Sequence, residues 1–368
     1  MKVLHLIPTL GGGGAERQLA YLATSLARRG TRIHVGYVLT GHHASLLEGR
    51  IDGLHCIPAR SNYDPAIVGR IVALIRSLGI DIVQTWLPQM DVLGGIAAIR
   101  CGVPWVLSER SSPHQYRPTW KILVRKWIGA RAAAVVANSD SGLSYWRRAA
   151  RFADNDCVIR NTVPVADIRA LRIPDEIENF EPDSALIVAA GRLIESKNLE
   201  VLLRAVDHVH LQTPAAMLLL FGAGPLEGEL KAIIGGMRRP ERVRVMGYTD
   251  SLWAWLKRAQ VYVSLSRYEG NPNSVLEAVA CGCPTILSDI AAHREVLAES
   301  ETCFVPLDDP LMVARQIEHV LARRDCALKR ATSASQRIEK FDAAKATDAY
   351  LEIYEQLVAR TARRQRSS

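Results

Sequence analysis

The chain of 368 residues has no long apolar run and no cysteine pattern that would suggest a disulfide or metal framework. A membrane-spanning helix needs about 18 consecutive apolar residues, and no run approaches that length. The seven cysteines are odd in number and scattered, and no Cys-x-x-Cys occurs. The opening "MKVLHLIPTLGG" is too short in apolar residues for a signal peptide and is typical of a first strand. These absences predict reduced thiols and a cytoplasmic protein.

Positive charge is concentrated in the first half of the chain. Residues 1–165 contain 20 Lys and Arg against 10 Asp and Glu, a balance of +10, whereas residues 166–368 contain 26 against 28, a balance of −2. Such asymmetry indicates an anionic partner or surface for the first half, with solubility as the alternative. Net charge alone does not identify a ligand.

Predicted strands and helices alternate along both halves of the chain, beginning with the strand "KVLHLI" and the amphipathic helix "AERQLAYLATSLARRG". This alternation predicts parallel sheets with helices on both faces. Residues 166–183 contain two prolines and no clear apolar period, so we predict a linker there. The expected fold is α/β, with two doubly wound, Rossmann-like domains over 1–165 and 184–341 that face each other across a cleft. Residues 342–368 are expected to form a helix that packs back toward the N-terminal domain, followed by a basic tail.

A glycine-rich stretch, Gly11 to Gly14, follows the first predicted strand and opens the first helix. Glycine allows a backbone to approach a ligand closely, and a helix N-terminus favours an anion. A dinucleotide fingerprint is one alternative, but Arg17 stands at its third glycine position. The second predicted strand, in "HVGYVLTGHH", also lacks the acidic residue that holds a ribose. A flexible connection without a ligand is the other alternative.

Two cations follow the first predicted strand of the second half. Arg192 comes directly after "ALIVAAG", and Lys197 lies near the start of the next helix. Two cations beside a helix N-terminus suit a diphosphate, although exposed Arg and Lys in such places are often only solvated. The turn "FGAGP", residues 221–225, could approach a base or ribose through its backbone, or could be a tight strand-to-helix turn.

Two glutamates eight positions apart, Glu269 and Glu277, lie in "RYEGNPNSVLEAVACGCP". Ser274 and Glu277 have the spacing of a capping box, which would explain Glu277 without a ligand. It would not explain Glu269, an acid in the loop after the predicted strand "VYVSLS". Carboxylate oxygens bind vicinal hydroxyls well because each accepts two hydrogen bonds. Two carboxylates, two cations and a helix N-terminus at one sheet edge favour a nucleotide sugar.

The stretches "GRLIESKN", "FGAGP" and "SRYEGNPNSVLEAVACGCPTILSD" together resemble the retaining family 4 glycosyltransferases of the GT-B fold. "GGGGAER" and "VVANS" followed by "VIRN" agree, so the resemblance covers nearly the whole chain. It implies that Arg192 and Lys197 hold the donor diphosphate and stabilise the leaving group. It also implies that Glu277 holds the ribose hydroxyls and that Glu269 contacts the donor sugar. Further donor-binding candidates are Gly13, Gly14, Gly222, Gly224, Asn273 and Ser274.

The same resemblance implies same-face attack with retention, no protein nucleophile, no cofactor and no obligatory metal. Many members of that family carry a His after the fourth strand of the first domain, where this chain reads "LSERSSPH". We interpret Glu109, Arg110 and His114 as candidates for contact with the acceptor or the donor sugar.

The segment "YRPTWKILVRKWIGARA", residues 116–132, interleaves tryptophans with basic residues. On a helix this pattern suits the surface of an anionic membrane, although a core-packed helix with a solvated basic face is the alternative. The resemblance favours the membrane, because similar enzymes extend lipid-linked glycans. Membrane-facing candidates are Trp120, Lys121, Arg125, Lys126 and Trp127. The expected location is therefore cytoplasmic, peripheral on the inner membrane.

We therefore expect a retaining glycosyltransferase that moves a hexose or N-acetylhexosamine from a nucleoside-diphosphate sugar. The donor base would be uracil and the acceptor an undecaprenyl-diphosphate-linked glycan or a polysaccharide. The alternatives are a GT-B nucleotide-sugar 2-epimerase and an NAD-dependent oxidoreductase. A nucleic-acid partner is not expected, since it would give no use to Glu269 or Glu277.

Overall fold

The computed structural model describes residues 1–61, 64–110, 119–147 and 155–366. The chain divides into two compact units. Unit 1 comprises Met1–Thr162 and Ala343–Ser368, and unit 2 comprises Val163–Asp342.

Unit 1 is built on a parallel sheet with the strand order β3-β2-β1-β4-β5-β6-β7. Its strands are β1 (Lys2–Thr9), β2 (Arg32–Leu39), β3 (Gly53–Cys56), β4 (Ile82–Trp86), β5 (Trp105–Glu109), β6 (Ala134–Ala137) and β7 (Cys157–Val158). The helices between them are α1 (Gly14–Arg28), α2 (Ala66–Leu78), α3 (Leu87–Cys101), α4 (Trp120–Gly129) and α5 (Asp140–Arg147), with a 3₁₀ turn at His42–Ala44. Strands β4, β5 and β6 are buried along their whole length, because helices cover both faces of the sheet.

The core of unit 1 follows the period of its strands. Val3 and Ile7 of β1 pack with α1 on one face of the sheet, whereas Leu4 and Leu6 pack with α2 on the other. Gly79 ends α2 in the left-handed conformation, with φ of 61°, which satisfies the last carbonyls of the helix.

Unit 2 contains a second parallel sheet, in the order β10-β9-β8-β11-β12-β13. Its strands are β8 (Leu186–Ala190), β9 (Met217–Phe221), β10 (Val243–Gly247), β11 (Val261–Ser264), β12 (Thr285–Ser288) and β13 (Cys303–Val305). Its helices are α6 (Val165–Ala170), α7 (Asp175–Glu178), α8 (Leu199–Gln212), α9 (Glu227–Gly235), α10 (Leu252–Arg258), α11 (Asn273–Ala280), α12 (Ala291–Arg294), α13 (Pro310–Ala322) and α14 (Arg324–Arg337). Short 3₁₀ turns occur at Glu195–Lys197, Pro240–Arg242 and Ile338–Phe341.

Residues 166–183 do not form the predicted linker. They contain most of α6 and all of α7, and Ile168 and Ile177 are buried in the same cluster as Leu186 of β8. Pro174 stands at the N-cap of α7, so this proline begins a helix. The two helices are four and six residues long, which is too short for an apolar period to be visible in the sequence.

The C-terminal helix α15 (Ala343–Arg366) belongs to unit 1. Tyr350, Tyr354 and Leu357 are buried in the cluster that α1 shares with one face of the sheet. Thr347 Oγ1 also lies 2.7 Å from Ser25 Oγ of α1. The chain therefore returns to its first unit after completing the second.

Helix α4 is attached to unit 1 by a buried ionic cluster. The Arg125 guanidinium, 1% exposed, lies 2.7 Å from Asp91 Oδ2 and 2.9 Å from Glu109 Oε2. Trp146 Nε1 donates a further hydrogen bond of 2.9 Å to Glu109 Oε2. Burial raises the pKa of Asp91, and the charge of Arg125 opposes that shift. The prediction that Arg125 faces a membrane is therefore wrong, because its charge is used inside the unit.

Replacement of Arg125 by Gln should destabilise the protein strongly. The change leaves Asp91 and Glu109 buried without their cation, and breaking a buried pair in this way costs about 3–5 kcal/mol. The matched control is Arg131→Gln, because Arg131 is exposed, follows the same helix and stacks on the exposed ring of Trp127. Urea unfolding should show a large loss in the free energy of unfolding for Arg125→Gln. For Arg131→Gln that free energy should change by no more than about 0.5 kcal/mol. Equal midpoints for the two variants would contradict a buried network that holds α4.

Candidate functional site

The carboxyl edge of the second sheet gathers the predicted donor residues. From β8 the sheet continues to β9 and β10 on one side, and from β11 to β12 and β13 on the other. Ligands of doubly wound sheets bind at such a switch point, outside the carboxyl ends of the strands. Arg192 and Lys197 follow β8, and Glu269 and Glu277 follow β11. The four predicted side chains therefore come from the two strands that flank the switch point.

Lys197 and Glu269 form an ion pair through Lys197 Nζ and Glu269 Oε1. Ser266 Oγ donates a hydrogen bond of 2.7 Å to the same carboxylate oxygen. The two charged side chains are only 20% and 14% exposed, so salt screens this pair poorly. Burial by itself raises the pKa of Glu269, but the charge of Lys197 and the hydrogen bonds from Lys197 and Ser266 outweigh burial and lower that pKa. Glu269 is thus held as a carboxylate.

The loops after β8 and β11 are tied to each other, and this fixes the position of Lys197. Arg267 donates from its backbone N to Ser196 O at 2.8 Å, and from Nη2 to Asn198 Oδ1 at 3.0 Å. Asn198 Nδ2 in turn donates to Leu307 O at 2.6 Å. Asn198 has a left-handed backbone, with φ of 54°, where the 3₁₀ turn meets α8. Asn is among the few residues that tolerate this conformation.

Gly222 and Gly224 serve the packing of these loops. A Cβ on Gly222, whose φ is +127°, would lie 1.9 Å from the carbonyl oxygen of Gly191. A Cβ on Gly224 would lie 2.4 Å from the carbonyl oxygen of Leu193. The "FGAGP" turn therefore supports the backbone segment that carries Arg192, and its glycines allow that close approach.

The capping-box alternative for Ser274 and Glu277 is not what the structure contains. Helix α11 begins at Asn273, so Pro272 and not Ser274 occupies the N-cap position. Ser274 Oγ instead accepts a hydrogen bond of 2.7 Å from the hydroxyl of Tyr262. Glu277 is 1% exposed and lies within the helix. Burial first, and then the charges of Glu269 and Glu277, raise the pKa of Tyr262, so both carboxylates act on one buried hydroxyl.

Arg192 is exposed and lines a recess at this edge of the sheet together with Lys197. Gly191 and the strand-end residues Ser264 and Ser266 also line it. The recess thus combines two cations with hydroxyl groups, which suits an anionic, hydroxyl-rich ligand. Ser266 was not predicted as a site residue, although its place at the end of the predicted strand "VYVSLS" was a usable signal.

His293 lies behind Glu269 and was also not predicted. It is fully buried, and its Nδ1 lies 2.8 Å from Ser288 O, a carbonyl that can only accept, so Nδ1 carries the proton. Burial lowers the pKa of His293, which keeps the ring neutral near Lys197 and Glu269. Ser288 Oγ donates to Ser266 O at 2.6 Å. These buried contacts support the loop that carries Glu269 from the interior of unit 2.

The glycine-rich stretch of unit 1 forms the N-terminus of α1, with Gly13 as N-cap and Gly14 as first residue. The carboxylate of Glu16, which is 7% exposed, folds back against Gly13. A Cβ on Gly13 would lie 2.3 Å from Glu16 Oε2. An acid in the first turn complements the helix dipole, so this N-terminus already has a negative group beside it. Contact of Gly13 and Gly14 with a donor stays a prediction.

The predicted residues after β5 separate in the structure. Glu109 is 1% exposed and bound by Arg125 and Trp146, so its carboxylate faces the interior and not a sugar. Arg110 stacks over the ring of Trp86, with Cζ 4.6 Å from the ring centroid. His114 lies outside the described residues. The expectation for Glu109 is therefore corrected, because two tertiary partners occupy its carboxylate.

Helix α4 presents an apolar stripe to solvent. Trp120, Leu123 and Trp127 are 69%, 67% and 64% exposed, and their spacing of three and four places them on one helix face. Lys121 stacks on Trp120 with Nζ 5.9 Å from the ring centroid, whereas Lys126 lies 4.5 Å from the ring centroid of Tyr145. Of the helices that the structure describes, none has the length and apolarity to cross a bilayer.

Both halves of the chain match known protein families. The family described as "Glycosyltransferase Family 4" matches residues 12–167, and the family described as "Glycosyl transferases group 1" matches residues 184–323. The first match lies in unit 1 except for its last residues, 163–167, and the second lies wholly in unit 2 and includes the carboxyl edge of the second sheet.

Two Campylobacter jejuni proteins are similar over their whole length. One is named N-acetylgalactosamine-N,N'-diacetylbacillosaminyl-diphospho-undecaprenol 4-alpha-N-acetylgalactosaminyltransferase; it is 25% identical and the match covers 92% of this chain and 95% of that protein. The other is named GalNAc-alpha-(1->4)-GalNAc-alpha-(1->3)-diNAcBac-PP-undecaprenol alpha-1,4-N-acetyl-D-galactosaminyltransferase; it is also 25% identical, over 96% of this chain and 98% of that protein.

Solved structures confirm the predicted fold class. HepE from Anabaena, solved in complex with UDP-glucose, superposes with a TM-score of 0.85 at 20% identity, over 98% of this chain and all of that one. Such a likeness shows two Rossmann-like units of the GT-B kind. With both halves matched by name, the chain belongs to the glycosyltransferases, as a member of group 1 and family 4.

Proposed function

We propose that the protein transfers a hexose or N-acetylhexosamine, with retention, from a UDP-sugar to a lipid-linked glycan. The observation that carries this proposal is the Lys197–Glu269 pair at the switch point of the second sheet, with Arg192 and Glu277 in the segments that follow the same two strands. The Campylobacter relatives, whose names include undecaprenol-linked acceptors, and the UDP-glucose complex of HepE support it.

In the proposed donor site, four side chains each bind a different part of the donor or share its diphosphate. Arg192 and Lys197 bind the diphosphate and stabilise the negative charge that develops on the leaving group, an effect that is strong where water is excluded. Glu277 binds the ribose hydroxyls. Glu269 binds the donor sugar, and its contacts from described residues both use Oε1, which leaves Oε2 to accept a sugar hydroxyl.

The proposed reaction needs no protein nucleophile and no obligatory metal. The acceptor hydroxyl attacks the anomeric carbon from the face that the diphosphate leaves, and the departing phosphate oxygen takes the hydroxyl proton. Because Glu269 is held as a carboxylate by Lys197 and Ser266, it is suited to accepting hydrogen bonds and not to donating a proton. The comparisons lend no support to a 2-epimerase or an NAD-dependent oxidoreductase.

We further propose that α4 brings the enzyme to the cytoplasmic face of an anionic membrane, where lipid-linked acceptors are found. The exposed stripe of Trp120, Leu123 and Trp127 would enter the interface region. Lys121 and Arg131 stack on the two tryptophans and would meet anionic headgroups. The buried ionic cluster at Arg125 keeps the stripe outward, because the opposite face of α4 is attached to the core.

The donor proposal predicts selective stabilisation by UDP. Thermal unfolding would be measured with UDP, GDP, ADP and NAD at one common concentration in large excess; a ligand at roughly 100 times its dissociation constant stabilises by about 2.7 kcal/mol, and a ligand that does not bind leaves the midpoint unchanged. Glu277→Gln should lose the response to UDP, because an amide cannot replace the ribose acceptor fully. Glu299→Gln, a change of an exposed carboxylate in the same unit, should keep it. Stabilisation by NAD alone would overturn the proposed donor class.

Replacement of Glu269 by Gln should separate binding from turnover. The amide oxygen can still accept from Ser266 and Lys197, so the loop keeps its shape, but the negative charge near the donor sugar is lost. UDP should stabilise this variant as it does the wild type, while kcat for transfer to a short-chain polyprenyl-diphosphate glycan falls by about 100-fold or more. Full activity of Glu269→Gln across a panel of UDP-hexoses and UDP-N-acetylhexosamines would remove Glu269 from the site.

The membrane proposal predicts binding to anionic vesicles that depends on the α4 stripe. Sedimentation with phosphatidylglycerol-containing vesicles should retain the wild type and release the double variant Trp120→Ser, Trp127→Ser. The control is Leu211→Ser, because Leu211 is an apolar side chain of unit 2 that is 56% exposed. High salt should weaken binding, since each basic residue near the surface contributes about 1 kcal/mol through screened attraction. Equal vesicle binding by the double variant and by Leu211→Ser would show that α4 does not face the bilayer.

A further inference from the structure

Besides the exposed Arg131, two described arginines of unit 1, Arg125 and Arg110, stack on tryptophan rings, and these two differ in their counter-charges. Arg125 lies 5.0 Å from the ring centroid of Trp146, and Arg110 lies 4.6 Å from that of Trp86. Arg125 has two carboxylate partners, whereas the hydrogen-bond partners of the Arg110 guanidinium in the described residues are Asn161 Oδ1, at 3.2 Å, and the hydroxyl of Tyr350. Both of these partners are neutral, so Arg110 has no acid beside it in the described residues.

The lack of an acidic partner for Arg110 in the described part of the chain is costly because Arg110 is partly withdrawn from water. Its Nε is buried and has no hydrogen-bond partner among the described residues. A guanidinium stays charged at all physiological pH values, so it cannot avoid the cost of burial by losing its proton. The neighbouring residues 111–118, which lie outside the description, include no Asp or Glu in their sequence. A partly buried charge of this kind is stabilised when a group of opposite charge binds beside it.

Arg110 lines a recess that has the location of a ligand site. Arg110 follows β5 and Trp86 ends β4, so the recess lies at the carboxyl edge of the first sheet. Arg160, Gln18, Thr162 and Tyr350 also line it, and no Asp or Glu does so in the described part of the chain.

Arg160 supplies a second cation to the same recess. Its Nη2 lies 2.9 Å from Asp140 Oδ2, but the Asp140 side chain is 69% exposed, so that pair is weakly held. The Arg110 guanidinium lies over the Trp86 ring, and its planar, rigid fork of donors suits an oxyanion.

We propose that this recess is a phosphoryl-binding site of unit 1, separate from the donor residues of unit 2. This inference rests on the proposed function for its source: a lipid-linked acceptor carries a diphosphate, and the donor carries another. Phosphoryl oxygens are acceptors for both guanidinium forks and provide the negative charge that Arg110 lacks. Arg110 therefore acts in acceptor binding, or holds a donor phosphate, by charge and hydrogen bonds alone.

The test compares three main variants, with Arg160→Gln as a fourth, against two phosphoryl probes by calorimetry. The probes are geranyl diphosphate, which carries a prenyl diphosphate without a sugar, and UDP. The variants are Arg110→Gln, Arg192→Gln and Arg76→Gln; Arg76 is an exposed arginine on α2 and controls for the loss of one positive charge in unit 1. A charge-assisted hydrogen bond contributes about 1.5–3 kcal/mol, so its loss should weaken binding by roughly 10-fold to 100-fold.

Loss of geranyl diphosphate affinity in Arg110→Gln, with UDP affinity unchanged, would support the site and assign it to the acceptor. Loss of UDP affinity instead would support the site and assign it to the donor. Arg160→Gln, which also changes a residue that lines the recess, should weaken binding of the same probe. It therefore tests the site even if Arg110→Gln folds poorly. Wild-type affinity for both probes in both recess variants would overturn the proposal. Failure of UDP to bind any form would refute the proposed donor but leave the geranyl diphosphate result readable.

Discussion

The constraint on which much of this structure depends is that a charge removed from water needs an opposite charge or a set of hydrogen bonds. Lys197 satisfies it with Glu269 in unit 2, and Arg125 satisfies it with Asp91 and Glu109 in unit 1. The first pair lies at a sheet edge where a ligand can reach it, and the second lies inside the unit. The same requirement thus produces an ion pair in the candidate site of unit 2 and an ionic cluster that attaches α4 to unit 1.

The parallel direction of the strands determines where the candidate site residues lie. Because all strands of a sheet run the same way, every loop that follows a strand emerges at one edge, and the side chains of distant loops meet there. In unit 2 this brings together the loops after β8, β9, β11 and β12. Gly191 and Gly222 allow two of these loops to approach within backbone contact, and Arg267 ties a third to the turn that holds Lys197. The residues of the proposed donor site are therefore placed by backbone packing.

Layers of polar contacts behind the site add precision. Ser266 binds Glu269 directly, Ser288 binds the backbone of Ser266, and His293 binds the backbone of Ser288. Two of these hydrogen bonds are buried and the one to Glu269 is partly buried; an unmade bond is costly in such places, so the loop has few alternative conformations. The position of the Glu269 carboxylate thus depends on residues that no ligand need touch. In unit 1 the neutral partners of Arg110 leave a charge that no acid among the described residues balances by a hydrogen bond.

The sequence by itself determined the alternation of strands and helices, because strands buried on both faces are apolar runs between amphipathic helices. It also indicated Arg192, Lys197, Glu269 and Glu277, since each follows a recognisable strand and the sheet edge is common to them. It could not reveal the short helices of residues 166–183 or the edge strands β3 and β13, whose length is below a visible period. Tertiary structure alone decided that Glu109 and Arg125 face each other inside the unit while Arg110 faces neutral groups. The reason is that the partner of a charge lies far away in the chain, as Asp91 does for Arg125 and Tyr350 for Arg110, and only folding brings the two together.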